Sequence, residues 1–214
     1  INHAAPTDKE FEFKELKLPF VLRMDEAYIK QLILQTTTST TKFYNIQLNE
    51  SEWSGAKIQL VNSSMAMDFL KADNINGYLQ LDGKYPLSLS ADATIPALEN
   101  LKMNKLKLVA RGDVDTLKAG FAAASPDVIS GYMVLHPVRK NVPMFGKVYW
   151  SKYHWPVAPE QELYSELGEV NLDGDIKKLN INVDTDLSGK QIPQGYYQAK
   201  MHTDLKQLNI EDFV

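Results

Sequence analysis

Apolar and polar residues alternate along almost the whole of this chain. The longest uninterrupted run lies between Ile75 and Ile95. There every odd position is apolar, small or aromatic: Ile75, Gly77, Leu79, Leu81, Gly83, Tyr85, Leu87, Leu89, Ala91, Ala93 and Ile95. The even positions are mostly polar, among them Asn76, Gln80, Asp82, Lys84, Ser88, Ser90, Asp92 and Thr94. A period of two over this length predicts strand with one dry and one wet face. Asp82-Gly83 marks the turn of a long antiparallel hairpin. For Leu79, Leu81, Leu87 and Leu89 to share a face, Leu81 must stand opposite Tyr85. That leaves a three-residue loop, Asp82 to Lys84, since a two-residue turn would oppose Leu81 to Lys84 and break the face. Gly83 can supply the positive φ that such a loop needs.

The same rhythm recurs on both sides of this hairpin. Before it come Phe20, Leu22 and Met24, then Leu32 and Leu34 leading into a polar, β-branched run from Thr36 to Thr41. Tyr44, Ile46 and Leu48 follow, then Ala56, Ile58 and Leu60, then Met65, Met67 and Phe69. After it come Leu106, Leu108 and Ala110, then Leu117, Ala119, Phe121 and Ala123, then Tyr132 and Val134, then Val148 and Trp150. The last third continues with Ile181 and Val183, then Ala199, Met201, Thr203 and Leu205. Helical periodicity is nearly absent; Ser125-Pro126-Asp127 is the one helix-start signal, and it reads equally well as a loop. Residues 1–10 carry no pattern and read as a linker, which leaves residues 11–214 as a single β segment. The spacing of Leu172-Asp-Gly-Asp-Ile176 echoes that of Leu81-Asp-Gly-Lys-Tyr85, a weak sign of internal repetition.

The chain has 214 residues, with 44% hydrophobic, 23% charged and a net charge of −4. It carries no cluster of Lys and Arg of the kind a nucleic-acid binder shows, which argues against nucleic acid as a partner. It has no cysteine, which suits an oxidising compartment. No stretch approaches the roughly 20 apolar residues of a membrane-spanning helix. The first residue is Ile1, and the chain reads as a piece of a longer protein.

The chemistry of catalysis is thin. His3, His136, His154 and His202 are too far apart in sequence for metal-ligand spacing, and no nucleophile, phosphate or zinc motif occurs. Asp173-Gly174-Asp175 lacks the remaining ligand spacing of a calcium loop and reads as a hairpin turn. Asp184 and Asp186 share a strand face, where a glycosidase pair could sit, but a solvated face explains them more simply. His154 between Tyr153 and Trp155 reads as an aromatic loop packing on a sheet edge. A sugar-binding surface using Trp53, Trp150 and Trp155 is a weaker option. These observations point away from an enzyme, a metal and a cofactor.

The dry face itself admits two architectures. In a β-sandwich two sheets seal it as a core, and periodicity alone favours that. In a curved open sheet it lines a groove. Alternation does not separate them, because both need one apolar face.

Three stretches resemble the TamB family: NGYLQLDGKYPLSLSADATI, GKVYWSKYHWPV and VNLDGDIKKLNINVDTDLSGKQIP. Their order and spacing are more specific than any one of them, and the likeness runs from about Leu18 to Leu205. It is to the amino-terminal half of the periplasmic portion, in a family similar to the AsmA-like and bridge-like lipid transfer proteins. The resemblance implies an all-β fold: a long, strongly curved antiparallel sheet forming a U-shaped open trough, or β-taco, with an apolar concave face. It implies a periplasmic location, with the parent protein anchored in the inner membrane by a span outside this segment.

It further implies the conduction of phospholipids to the outer membrane, with phospholipid acyl chains and a TamA-like outer-membrane barrel as partners. An alternative is a role with that barrel in assembling outer-membrane proteins by strand-edge pairing. No catalytic residue carries over. The residues expected to line a lipid groove are Ile58, Leu60, Met65, Met67, Phe69, Leu79, Leu81, Leu87, Leu89, Leu106, Leu108, Phe121, Ile181 and Val183. Met65 and Met67 suit a flexible ligand, since methionine adapts its shape to what it touches.

Overall fold

A computed structural model of the protein describes residues 15–35, 40–96, 105–123, 128–158, 161–190, 192–204 and 206–214. The stretch 1–10 expected to be a linker, the Ser125-Pro126-Asp127 segment and Leu205 lie outside these residues. Thirteen strands form one sheet: β1 (Val21–Gln35), β2 (Thr40–Ser54), β3 (Lys57–Met67), β4 (Leu70–Gln80), β5 (Leu87–Thr94), β6 (Lys105–Gly112), β7 (Leu117–Ala123), β8 (Val128–Leu135), β9 (Met144–Ala158), β10 (Gln161–Gly174), β11 (Leu179–Gly189), β12 (Gly195–Thr203) and β13 (Leu208–Phe213). There is no α-helix among the described residues. Spatial order equals chain order, from β1 at one edge to β13 at the other, and every pair is antiparallel. The two edge strands do not pair, so the sheet is open. Among the described residues no second sheet is formed to seal the dry face, and the sandwich reading is excluded. At roughly 4.8 Å per strand the sheet extends on the order of 60 Å across its strands.

Bulges crease this sheet. Glu50, Asn62 and Asn74 hold positive φ of 44°, 43° and 51° in β2, β3 and β4. The pairing shifts beside each of them: between Asn49 and Glu52, between Leu60 and Ser63, and between Asp73 and Asn76. Each bulge adds a residue, so the dry positions step by three instead of two: Leu60 to Ser63, and Ala72 to Ile75. Bulges bend the strands that carry them, and bulges aligned on neighbouring strands bend the sheet along a line. Polar groups secure that line. Ser51 and Ser63, each 1% exposed, place their hydroxyls 3.2 Å apart. Asn49 Nδ2 donates to Asn62 O, Asn76 Oδ1 accepts from Asn62 N, and Asn74 Nδ2 donates to Asp92 Oδ2. A second crease crosses β9 to β11, with Lys152 at φ 54° and Ser165 and Thr185 buried. Their hydroxyls lie 2.9 Å apart.

One rim of the sheet is stitched together. Leu81 N donates to Ala56 O, Val114 N to Lys84 O, Val138 N to Val114 O, and Ile176 N to Asn141 O. Each bond joins a turn to the turn of the hairpin before it. The turns share a device as well. Asp113 Oδ1 accepts from the amides of Asp115 and Thr116, Asp175 Oδ1 from Lys177 and Lys178, and Asp204 Oδ1 from Lys206 and Gln207. The repetition that the structure shows is therefore Gly112-Asp113 with Gly174-Asp175. The echo between Leu81 and Leu172 is not structural: Gly83 sits inside its turn at φ 56°, whereas Gly174 ends a strand at φ 145°.

The hairpin of β4 and β5 keeps the expected register, with Leu79 opposite Leu87. Its loop is wider than three residues, because the strands end at Gln80 and Leu87. Pro86 has no N–H to extend the ladder, and Gln80 N makes the last bond, to Pro86 O. Tyr85 turns to φ 54°, its amide donating to Asp82 O, and the Leu81 amide is drawn to Ala56. Leu81 is thus part of the stitched rim.

Candidate functional site: an uncharged trough

The inward face can be followed by cross-strand partners. A first row begins with Leu22, Trp53, Ile58, Leu79 and Leu87. It continues through Gly112, Leu117, Leu135 and Met144. It ends with Gly174, Leu179, Thr203 and Leu208, so all thirteen strands contribute and none contributes a charge. A second row runs Leu60, Gly77, Leu89, Ala110, Ala119, Met133, Gly146, Leu172, Ile181, Met201 and Ile210. A third runs Ala91, Leu108, Phe121, Gly131, Val148, Val170, Val183, Ala199 and Phe213. Deeper still, Met65, Ala72, Ala93 and Leu106 pair across β3 to β6. Ile129, Trp150, Gly168, Thr185 and Tyr197 pair across β8 to β12.

The outward rows are of another kind. The one next to the first inward row runs Arg23, Glu52, Gln59, Tyr78, Ser88, Arg111, Lys118, Val134, Phe145, Asp173, Asn180 and His202, polar or charged at all but three positions. Lys147 pairs with Glu169 at 2.7 Å on this face, and the carboxyl of Glu169 is held below its ordinary value, chiefly by that bond. Asp175 and Asp204, on the rim, are lowered by the backbone amides that they accept. Asp82 is lowered mainly by Gln80 and then by Lys17.

The inward side is the concave one, and its residue sizes fit that. On the inner arc side chains crowd together, so small residues relieve it. Gly77, Gly112, Gly131, Gly146, Gly168 and Gly174 all fall in inward rows, as do Ala72, Ala91, Ala93, Ala110, Ala119 and Ala199. Most of the larger inward side chains are half-buried, although no other layer among the described residues covers them. Few are sealed: Ala72, Ala93, Leu106, Ile129 and Leu179 are among the buried apolar residues. At the edges Leu22, Ile29, Leu32, Leu208, Ile210 and Phe213 are exposed.

Twelve of the fourteen residues singled out from sequence fall on this face; Phe69 and Leu81 do not. Phe69 lies in the β3–β4 turn and is 64% exposed, because the alternation is carried past the end of the strand. Leu81 is on the rim. The reading missed Leu22, Trp53, Leu135, Met144, Val170 and Leu172. For the last four the signal was parity with Gly131, Gly146, Gly168 and Gly174, which an apolar count passes over.

The other polar candidates are structurally committed. Asp184 accepts from Tyr196 and Gln198, while Asp186 accepts from Leu167 N and Ser165. Asp173 is an outward strand residue and Asp175 caps its turn. The His154 ring meets Tyr164 edge-on at 6.3 Å. Trp53 and Trp150 point inward from β2 and β9, far apart in the sheet, and bond Gly55 O and Ser165 Oγ. The side chain of Trp155 lies outside the described set. Among the described residues no group of acidic and histidine side chains could hold a metal.

An open antiparallel trough, uncharged inside and charged outside, defines a scaffold that presents a long apolar surface under the shelter of its own walls. The chain belongs to the TamB family: residues 4–214 match the family model described as TamB, N-terminal domain. That makes it a periplasmic region of an envelope protein, from a family that is not one of enzymes. No solved structure matches it.

Proposed function

We propose that this segment conducts phospholipids from the inner to the outer membrane, with acyl chains sliding along the uncharged trough and headgroups riding at its open side. The reading rests on one observation: the first inward row crosses all thirteen strands without a charge, on a face that no second layer among the described residues covers. Contiguous exposed apolar surface of this extent marks a binding surface. In this reading the parent protein is held in the inner membrane by a span elsewhere, and a TamA-like barrel receives the lipid at the outer membrane. Photo-crosslinking in living cells tests it. A benzophenone side chain at Leu89 or Ile181 in the full-length parent should capture radiophosphate-labelled phospholipid, and one at outward Lys118 or Asn180 should not. Equal labelling on both faces, or none, would sink the reading.

The open edges favour a second role. The outer edges of β1 and β13, which face no strand among the described residues, can accept a further strand, which would serve the assembly of outer-membrane proteins with the barrel partner. Crosslinks from Ile210 to client strands, without any lipid captured from Leu89, would select it.

A further inference from the structure

Two aromatic rings in the trough do not stand up into it. Phe121 pairs with Gly131, and Trp150 pairs with Gly168. A methyl group at Gly168 would come within 2.2 Å of Trp150 Cζ2 and 2.3 Å of Cε2. One at Gly131 would come within 2.7 Å of Phe121 Cε1. Each ring therefore lies flat in the recess that its glycine leaves on the next strand. Trp150 is fixed a second way, since its Nε1 donates to Ser165 Oγ at 2.8 Å. Ser165 in turn is buried at the crease against Thr185.

Resting on the conduction reading, we propose that Gly168 and Gly131 are bore-setting residues: they seat Trp150 and Phe121 against the wall and so keep the trough clear for an acyl chain. An indole is the largest side chain available, and a raised one would cross the path that its neighbours Val148, Val170 and Val183 leave open. Gly168 gives the cleaner test. The three atoms nearest to its would-be methyl all belong to the Trp150 ring, and its φ is not in the left-handed region. A side chain there displaces the ring and leaves the backbone unstrained. At Gly131 the Lys147 carbonyl also stands in the way, at 2.8 Å, so substitution would disturb the sheet too.

Gly168→Ala should lift the indole. In full-length protein with Trp53→Phe and Trp155→Phe and any further tryptophans replaced, the emission of Trp150 should change on making Gly168→Ala. Phospholipid crosslinking from a benzophenone at Val183 should be lost or strongly reduced, while crosslinking from Leu89, further along the trough, should persist. Gly168→Ala with Trp150→Ala should restore capture at Val183, and would also recover the fold if the single variant is unstable. An unchanged emission, unaltered capture at Val183, or no rescue by removing the indole would each overturn the proposal. Absence of lipid capture in the wild type at both positions would instead bring down conduction itself, and the bore-setting role with it.

Discussion

Leu89→Asp separates a lined trough from a sealed core, because the two give opposite results for stability and transport. Leu89 is half-buried, and its cross-strand partners are Gly77 and Ala110. Complete burial of a leucine side chain contributes about 1.5–3 kcal/mol, so the half-buried side chain here contributes about 1 kcal/mol. Aspartate in a strand adds a propensity cost of up to ~1 kcal/mol. Beside a glycine and an alanine the new carboxylate has room to keep its water. The expected loss is therefore about 2 kcal/mol, against a typical total stability of about 5–15 kcal/mol.

Ala93→Asp on the same strand supplies the internal contrast. Ala93 is 2% exposed, so its replacement must dry an unpaired carboxylate, at several kcal/mol. Desolvation raises the pKa of such a group, and the variant should regain stability as pH falls through that raised value. Thermal melting followed by far-UV circular dichroism reads both variants. Leu89→Asp should melt cooperatively a few degrees lower, yet fail to support phospholipid supply to the outer membrane in cells that depend on it. Ala93→Asp should unfold or aggregate at neutral pH. If Leu89→Asp unfolds as Ala93→Asp does, the face is a core; if it folds and still conducts, the path lies elsewhere.

Gly112→Ala should destabilise by on the order of 2–3 kcal/mol in denaturant melts, because φ is +135° and the new Cβ would lie 2.0 Å from Thr116 O; Gly120→Ala, facing outward with its nearest contact at 3.3 Å, should stay close to neutral. Asn74→Val should cost about 1–2 kcal/mol in the same melts, since a β-branched residue resists φ near 51°, whereas Asn74→Gly should lose less. Asp82, Asp175 and Asp204 have folded values below their ordinary 3.8, so the stability they contribute is complete above about pH 4 and is lost as pH falls through the folded values. Melting temperatures at pH 7 and pH 3 should show this drop, and it should shrink when Asp175 and Asp204 are both replaced by alanine.

The strands were legible because each carries one dry face, and a period of two survives wherever the ladder is regular. The bulges were less so. Ile58 and Leu60 are even, Met65 and Met67 odd, and that parity change is the bulge at Asn62 seen from sequence. Nothing local marks Asn62 as the inserted residue, because asparagine also suits turns. Phe69 was misplaced since parity says nothing of where a strand stops. The width of the Leu81–Pro86 loop depended on which carbonyl the Leu81 amide reaches, and Ala56 is distant in sequence. The stitched rim, built from turn to turn, was hidden for the same reason.

Whether the dry face is a core or a lumen was hidden from alternation but not from side-chain size. A sandwich core must be filled, and large inward residues from facing sheets interdigitate at crystal-like density. Here Leu87 faces Gly112, Leu89 lies between Gly77 and Ala110, and Phe121 and Trp150 are laid down over Gly131 and Gly168. A second sheet brought onto this surface would find no side chain to interlock with at Gly77, Gly112, Gly146 or Gly174, and unfilled space between layers costs stability. The same low positions let the sheet bend inward along its creases without collision. Small residues thus allow the curvature and leave space at its centre. If the segment conducts lipid as proposed, acyl chains that change shape as they move would fill that space where a fixed layer of side chains would not.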